Sequence, residues 1–217
     1  MQHTFITIHP QIIAAYASMG IFLRAQKSSI AQFQAINLRD FATDSRGTVD
    51  DRPFGGGDGM VMRPDILLKA RESVDIPSLV IYTSPKGQPW NQKTAEKYAT
   101  EMKNIIFICG RFGGIDQRFI NHYVDAEYSL GDVVYAGGEL PSLMISESIL
   151  RLIPGVLGNE ESSRADSFSE LLSGKIEHPL YTRPENFLGH QVPKVLVSGD
   201  HKAIALWREK HQILRLP

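Results

Sequence analysis

The sequence predicts an α/β fold with a parallel sheet, followed by a small helical C-terminal domain. Strand-like and helix-like runs alternate along the first two thirds of the chain, as parallel strands joined by crossover helices do. The composition, 42% hydrophobic and 22% charged residues, is typical of globular domains. Because 217 residues can hold one fair-sized domain and a small one, we expect two units.

The elements follow from apolar runs and their boundaries. Residues 5–8, 79–82 and 105–108 are apolar and β-branched, which predicts strands. Helices are predicted around 12–19, 64–73 and 92–102. A further helix begins near Glu139 and Pro141, since an acid and a proline suit the first turn, and it ends before Pro154 and Gly155.

The chain organisation changes after residue 158. Residues 1–158 form the predicted sheet domain, and the polar stretch 159–175, rich in Ser, Glu and Asp, predicts a flexible interdomain linker. In residues 176–217, Ile204, Trp207 and Leu214 recur at helical spacing and predict the apolar face of a small domain.

Several classes of protein are excluded or disfavoured. Cys109 is the only cysteine, so no intrachain disulfide can form and a reducing compartment fits. The N-terminus lacks a signal-peptide pattern and no apolar run approaches about 20 residues, which predicts a cytoplasmic protein with no membrane contact. The scattered histidines predict no metal site. The sequence contains no G-x-S-x-G nucleophile elbow, which disfavours a serine hydrolase.

Charge is uneven near the C-terminus. Residues 190–217 contain five basic side chains and two acidic ones. This excess could contact nucleic-acid phosphates, or it could be a solvated helix face.

Three glycine-rich segments are candidates for a ligand site. Residues 50–62 lack the Lys-Ser/Thr ending of a Walker A loop and the spacing of a dinucleotide fingerprint. Residues 109–116 and 129–141 follow apolar strands, at the edge where ligands bind in parallel sheets. Glycines there let the backbone approach a ligand, although each cluster could instead serve only to form a turn.

Seven segments spread over most of the chain carry a resemblance to a known family. They are TVDDRPFGGGDGMVM (48–62), IYTSPKG (81–87), ICGRFGGID (108–116), SLGDVVYAGGELP (129–141), RLIPGVLG (151–158), ADSF (165–168) and YTRP (181–184). In these segments and in their order, the chain resembles the bacterial TrmD enzymes, which methylate N1 of the guanosine 3′ of the tRNA anticodon, position 37.

The resemblance implies a SPOUT-type fold with a deep trefoil knot, S-adenosylmethionine as methyl donor, tRNA as substrate and a homodimer with shared active sites. Its cofactor loops would be residues 82–87, 109–114 and 128–141. The residues expected to bind cofactor are Tyr82, Pro85, Gly110, Leu130, Gly131, Asp132, Val133, Val134, Tyr135, Gly137, Gly138 and Pro141.

The resemblance also assigns the catalytic and substrate-binding residues. Guanine N1 must lose its proton before it accepts a methyl group, and Asp166 is the family's candidate base. Arg151 would stabilise the charge that develops on guanine O6. Asp50 would contact the target guanine. Without the family, Asp166 is one of many linker acids, Arg151 a helix cap and Asp50 part of a turn.

The chain departs from the family at a few positions. Gly113 stands where the family usually has a glutamate linked to magnesium-assisted catalysis, so a magnesium requirement stays open. Phe112 replaces a tyrosine and Leu180 a histidine. The sequence ends soon after Trp207 and Arg208, so we expect residues 176–217 to form a reduced tRNA-binding domain.

Two alternatives remain alongside the methyltransferase function. One is a paralogue that binds cofactor or RNA without catalysis, and the other is a related knotted methyltransferase with a different RNA target. An oxidoreductase is a third and weaker alternative, because the dinucleotide fingerprint is missing.

Overall fold

A computed structural model describes residues 1–158 and 166–214 of the protein. The chain divides into two compact units, Met1–Gly158 and Asn159–Pro217. The first unit contains the central sheet and six α-helices among its described residues, whereas the second contains two short helices and a short hairpin among residues 166–214.

Five strands form the central sheet of the first unit. They are β1 (Gln2–Thr7), β2 (Gln32–Asn37), β5 (Ser78–Pro89), β6 (Asn104–Ile108) and β7 (Ala126–Ser129). Two short strands, β3 (Asp50–Asp51) and β4 (Val61–Met62), form a separate antiparallel pair. The sheet order is β2-β1-β6-β5-β7 and every pairing in it is parallel, which confirms the predicted α/β class with a parallel sheet.

Helices cover both faces of the sheet. Four of them, α1 (Pro10–Ala17), α2 (Gly20–Lys27), α4 (Gln92–Glu101) and α6 (Glu139–Leu150), contribute to one apolar cluster. Two others, α3 (Pro64–Glu72) and α5 (Gln117–Tyr123), contribute to a second cluster, and a 3₁₀ turn over Leu38–Phe41 precedes β3.

The alternation of side chains along β6 explains these two clusters. Ile105 and Phe107 point into the first cluster, while Ile106 and Ile108 point into the second. A strand buried on both faces reads as a continuous apolar run, which is why β6 is visible in the sequence. By contrast, β2 lies at the edge of the sheet and carries Gln32 and Gln34, so its pattern did not predict a strand.

The predicted helices form with small boundary shifts, and local chemistry explains where α4 begins and ends. The Asn91 side chain accepts a hydrogen bond from the Thr94 backbone N–H at 2.9 Å and caps the N-terminus. At the other end, Met102 adopts a left-handed conformation with φ of 51° and stops the helix.

Strand order determines where the sheet can bind a ligand. The chain passes from β5 to β6 in one direction across the sheet, and from β6 to β7 in the other. In open parallel sheets, this kind of reversal leaves a crevice beyond the carboxyl ends of the strands. The loops after β6 and β7 and the late part of β5 therefore meet at one edge.

The second unit is built from short elements: the hairpin β8 (Asn186–Phe187) and β9 (His190–Gln191), and the helices α7 (Lys194–Val197) and α8 (His201–Lys210). Asp200 caps α8 by accepting from two backbone N–H groups. The expectation that Leu214 continues this helix is wrong, because α8 ends at Lys210 and Leu214 follows a bridge between Ile176 and Ile213.

The predicted linker is only partly described, since residues 159–165 lie outside the described ranges. From Asp166 onward the chain forms turns closed by backbone hydrogen bonds. The Phe168 N–H donates to the Lys175 carbonyl at 2.8 Å, and the Ser169 N–H donates to the Asp166 carbonyl at 3.1 Å.

Candidate functional site

A cavity of about 360 Å³ opens at the carboxyl edge of the sheet, between the loops that follow β5, β6 and β7. This volume falls in the range of small-molecule sites, roughly 300–1,000 Å³. The walls come from residues 82–86, 110–115 and 127–138, with additional contacts from α5 and α6. All of these segments belong to the first unit.

Most of the residues predicted to bind cofactor line this cavity. Gly131 and Asp132 are the exceptions, since they lie in the same loop but are exposed outside the lining. The residues on the lining are Tyr82, Pro85, Gly110, Leu130, Val133, Val134, Tyr135, Gly137, Gly138 and Pro141.

The first wall is an excursion of β5 away from its neighbour. Pairing with β7 breaks after Thr83 and resumes at Gln88, and both of these residues face Tyr128. Residues 84–87 therefore bulge out of the sheet, and the Ser84 hydroxyl donates to the Glu127 carboxylate. A Cβ on Gly87 would lie 2.4 Å from the Tyr128 backbone N, so only glycine lets the chain return here.

The second wall, residues 110–115 after β6, and the third wall, residues 127–138 at the end of β7 and in the loop after it, pack backbone against backbone. The Gly138 N–H donates to the Gly110 carbonyl at 2.8 Å. A Cβ on Gly138 would lie 2.8 Å from the Cys109 Cα, and one on Gly110 would lie 2.9 Å from the Tyr82 ring. Because these glycines lack a Cβ, they let the loops pack closely against each other, in addition to any contact they make with a ligand.

The ion pair between Arg111, on the cavity lining, and the buried Glu139 was not predicted as part of the site. The Arg111 guanidinium donates to both carboxylate oxygens of Glu139, from Nε at 3.1 and 3.0 Å, and Nη2 lies 2.9 Å from Oε2. The Thr7 hydroxyl donates to the same carboxylate at 2.6 Å. In the sequence, Glu139 suggested only a favourable charge at a helix N-terminus. No local pattern in the sequence could have revealed the pair, because its two residues lie 28 positions apart.

Two titratable groups near the cavity are neutral at physiological pH. Burial, followed by the negative charge of Glu127, raises the pKa of Tyr82 to about 12. Burial, followed by the charge of Glu139, also raises the pKa of the Cys109 thiol well above its usual value. The single cysteine is therefore poorly suited to act as a nucleophile.

Asp50 lies in a segment attached to the cavity wall. It pairs with Met62 in the short β3–β4 ladder, and the Met62 N–H donates to the Gly114 carbonyl at 2.9 Å. The Gly113 N–H also donates to the Met60 carbonyl at 2.8 Å. The intervening loop exposes Phe54 almost completely, at 97%. The structure thus connects the Asp50 segment to the second wall.

The two predicted catalytic residues lie in different units, on either side of residues 159–165. Arg151 directly follows α6, where its backbone N–H donates to the Glu147 carbonyl at 3.1 Å. Asp166 is the first described residue of the second unit, and its carbonyl accepts from Ser169. Neither residue belongs to the cavity lining.

The second unit presents basic and aromatic side chains. Trp207 stacks on His211 with ring centroids 4.1 Å apart, and Tyr181 approaches the same indole edge-on. The basic residues predicted to meet phosphates, apart from Arg215 outside the described residues, are all exposed: Lys194, Lys202, Arg208 and Lys210.

Two negative findings apply to residues 1–158 and 166–214. In these ranges, no group of three or more His, Cys, Asp or Glu side chains is arranged to hold a metal ion. No helix within them has the length and apolar character needed to cross a membrane.

Comparisons with known proteins identify relatives along nearly the whole chain. The family model described as tRNA (Guanine-1)-methyltransferase TrmD matches residues 1–216. A tRNA (guanine-N(1)-)-methyltransferase of Anoxybacillus flavithermus is 44% identical over 99% of this chain and 88% of its own length. Similar enzymes of Bacillus subtilis (42%, over 99% and 88%) and Pseudomonas putida (44%, over 97% and 84%) also match.

Proposed function

We propose a function from one premise: the chain belongs to the TrmD family of tRNA (guanine-1)-methyltransferases, whose model covers residues 1–216. The protein is a tRNA (guanine-N1)-methyltransferase, an enzyme that transfers a methyl group to guanine in tRNA. The observation that carries this conclusion is 42–44% identity to such enzymes, maintained over 97–99% of the chain.

We infer that S-adenosylmethionine is the methyl donor. A ligand of this kind combines a nucleoside with an amino-acid tail, and it needs a concave site with few polar side chains. The cavity in the first unit fits in volume, and the tight backbone packing at Gly110 and Gly138 leaves main-chain groups close to any occupant. When bound, the donor supplies a methyl group activated by a positively charged sulfur.

The three walls would hold different parts of the donor. Tyr82, Leu130 and Pro141 offer apolar surface for a purine, while the loop backbone supplies hydrogen-bonding groups. The proposed fold also includes the SPOUT trefoil knot. Its support is the central position of β6, which follows β5 in sequence yet lies between β1 and β5.

The proposed target is the guanosine 3′ of the anticodon, and Asp166 is the proposed base. Guanine N1 carries a proton at neutral pH, which must leave before N1 can accept a methyl group. The Asp166 carboxylate takes that proton, and negative charge then develops on guanine O6. The Arg151 guanidinium stabilises this charge by a charge-assisted hydrogen bond.

The tRNA is held by the second unit and by the Asp50 segment. Exposed Lys202, Arg208 and Lys210 on and beside α8 can contact phosphates, so affinity falls as salt rises. Asp50 contacts the target base, which must leave its stack in the anticodon loop to reach the cavity. A tRNA substrate also implies a location in the cytoplasm.

We further propose that the protein is a homodimer with shared active sites, and α6 supports this. Leu143 and Ile149 are buried, yet Leu140 and Met144, one turn apart on another face, remain 56% and 54% exposed. Large apolar side chains exposed side by side mark a surface that a partner covers. A second copy of the chain would cover this face.

Methyl transfer to defined tRNA transcripts tests the proposal. Purified protein and labelled S-adenosylmethionine are incubated with one transcript that has guanosine 3′ of the anticodon and a second that has adenosine there. We expect label only in the first transcript. Equal labelling of both would favour another RNA target, and labelling of neither would contradict the proposed reaction.

A further inference from the structure

The Arg111–Glu139 ion pair has no role in the function described so far. Glu139 is 1% exposed, and its carboxylate is held by Arg111 on one side and by the Thr7 hydroxyl on the other. The Arg111 guanidinium also donates to the Ala136 carbonyl at 3.3 Å. One side chain from the loop after β6 is therefore joined to the loop before α6.

Arg111 also packs directly against the third wall. A Cβ on Gly137 would lie 2.1 Å from the Arg111 Nε, so the guanidinium occupies the space that any other residue would need. Residues 136–139 are thus positioned by contacts with a single arginine, whose own position depends on Glu139. Moving this pair would displace a wall of the cavity.

The ion pair also determines the net charge around the cavity. Lys86, Arg111 and Glu127 are the charged side chains on the cavity lining, which leaves an excess of one positive charge. Glu139 lies behind the lining and contacts Arg111 directly, so it brings this group of four side chains to neutrality. A carboxylate withdrawn from water acts more strongly on nearby charges than an exposed one does.

A cationic ligand would be sensitive to that balance. We propose that Glu139 is a positioning residue that neutralises Arg111, so that the charge on the cavity does not disfavour a sulfonium ligand relative to its uncharged thioether product. The inference rests on the proposed function, because it takes S-adenosylmethionine as the ligand. It adds a residue that sets the relative affinity for the substrate and product forms of the cofactor.

Glu139 occupies a position that suits a carboxylate. It is the first residue of α6, where the helix dipole stabilises a carboxylate. Three donors from two side chains complete its hydrogen bonding. Removing the carboxylate charge alone would therefore leave the Arg111 side chain, which is 21% exposed, beside the cavity with its positive charge uncompensated.

The test compares two ligands that differ by one charge. Isothermal titration calorimetry measures the dissociation constants of S-adenosylmethionine and S-adenosylhomocysteine for the wild type and for Glu139→Gln. We expect the variant to lose at least about tenfold more affinity for the sulfonium than for the thioether, since only the sulfonium is repelled by the bare guanidinium. Glu147→Gln, on the same helix but away from the cavity lining, should leave both constants unchanged.

A second variant keeps the inference testable if Glu139→Gln unfolds. The double variant Arg111→Gln, Glu139→Gln removes both charges, and the ratio of the two dissociation constants should remain near that of the wild type. Equal losses for both ligands in Glu139→Gln would show a purely structural role and overturn the inference, as would no loss. A changed ratio in the double variant would also overturn it. Wild-type protein that binds neither ligand would instead contradict the proposed cofactor.

Discussion

The two units differ in what holds their described residues together. In residues 1–158, two apolar clusters pack against both faces of the sheet, and side chains such as Phe5, Phe107 and Ile66 are fully buried. In residues 166–214, Ser169 is the only buried residue. The second region relies on caps and short backbone ladders, such as the paired hydrogen bonds between Ile176 and Ile213.

This difference assigns different tasks to the units. A cavity built on a rigid sheet can be preformed, since its walls are fixed by buried contacts made before any ligand arrives. A unit with little buried apolar surface gains much of its stability from what it binds. Under the proposed function, the first unit holds the small cofactor and the second unit contacts the tRNA.

Core truncation should affect the two units very differently. Phe107 stacks on Phe5 with centroids 5.0 Å apart. The change Phe107→Ala should reduce the free energy of unfolding by about 3–5 kcal/mol, measured by urea denaturation followed by circular dichroism. The matched change Phe187→Ala, at a 63% exposed site in the second unit, should cost no more than about 0.5 kcal/mol. Similar costs at both sites would contradict the comparison.

The proposed catalytic pair, Asp166 and Arg151, gives the second prediction. We expect Asp166→Ala and Arg151→Ala each to lower kcat by about 10²–10⁴-fold, with S-adenosylmethionine affinity unchanged because neither residue lines the cavity. The double variant should lose less than the product of the single losses, because the two groups act on one proton transfer. Glu170→Ala, a nearby exposed acid, serves as the control in tRNA methylation assays. Near-normal turnover in either single variant would remove that residue from the mechanism.

Acid should destabilise the first unit through His3. Burial, followed by the charge of the N-terminal ammonium group, lowers the pKa of His3 from 6.5 to about 3. Below pH 6.5 the unfolded chain therefore binds more protons than the folded chain. The contribution of His3 to the free energy of unfolding is complete above that pH and is lost as the pH falls toward 3. Between pH 7 and pH 5 the loss should be about 2 kcal/mol.

His3→Asn keeps a polar partner for Ser146, which lies 2.7 Å from His3 Nδ1, but it cannot titrate. Its unfolding free energy should vary less with pH than that of the wild type. The exposed His190 in the second unit provides the control, and His190→Asn should leave the pH dependence as it is. An unchanged slope in His3→Asn would show that another group is responsible.

The last prediction concerns RNA binding by α8. Trp207→Ala removes the indole that stacks on His211, and it should weaken tRNA binding by about 1–3 kcal/mol if a base stacks there. Trp207→Phe should restore part of that affinity, and Leu206→Ala, on the same helix and 67% exposed, should have little effect. Filter binding at a fixed salt concentration measures all three. Equal tRNA affinities for wild type and Trp207→Ala would show that the Trp207 indole does not contact RNA.

The parts of the fold that the sequence predicted are those where one physical pattern dominates. The strand β6 is buried on both faces, so its run of Ile and Phe is unmistakable, and α4 has a side-chain cap at its start. The edge strand β2 escaped prediction because half of its side chains are polar. Leu214 was assigned to a helix by spacing alone, although the chain had already left that helix at Lys210.

The cavity was predictable as a set of loops but not as a geometry. Glycine-rich runs after apolar strands correctly indicated the carboxyl edge of the sheet as the ligand site. The family resemblance then identified individual residues in these runs as cofactor-binding candidates. The contact between Arg111 and Glu139 joins residues 28 positions apart, and no local pattern in the sequence encodes it. The roles of the predicted cofactor and catalytic residues remain predictions until variants are measured.

Analysis of the methylated nucleoside is the most direct test of the central claim. Wild-type protein, S-adenosylmethionine and a tRNA transcript with guanosine 3′ of the anticodon are incubated, and the tRNA is digested and examined by mass spectrometry against nucleoside standards. We predict 1-methylguanosine as the product, formed at that position. A methyl group on another atom of guanine, on another base, or no methylated nucleoside at all would contradict the assignment.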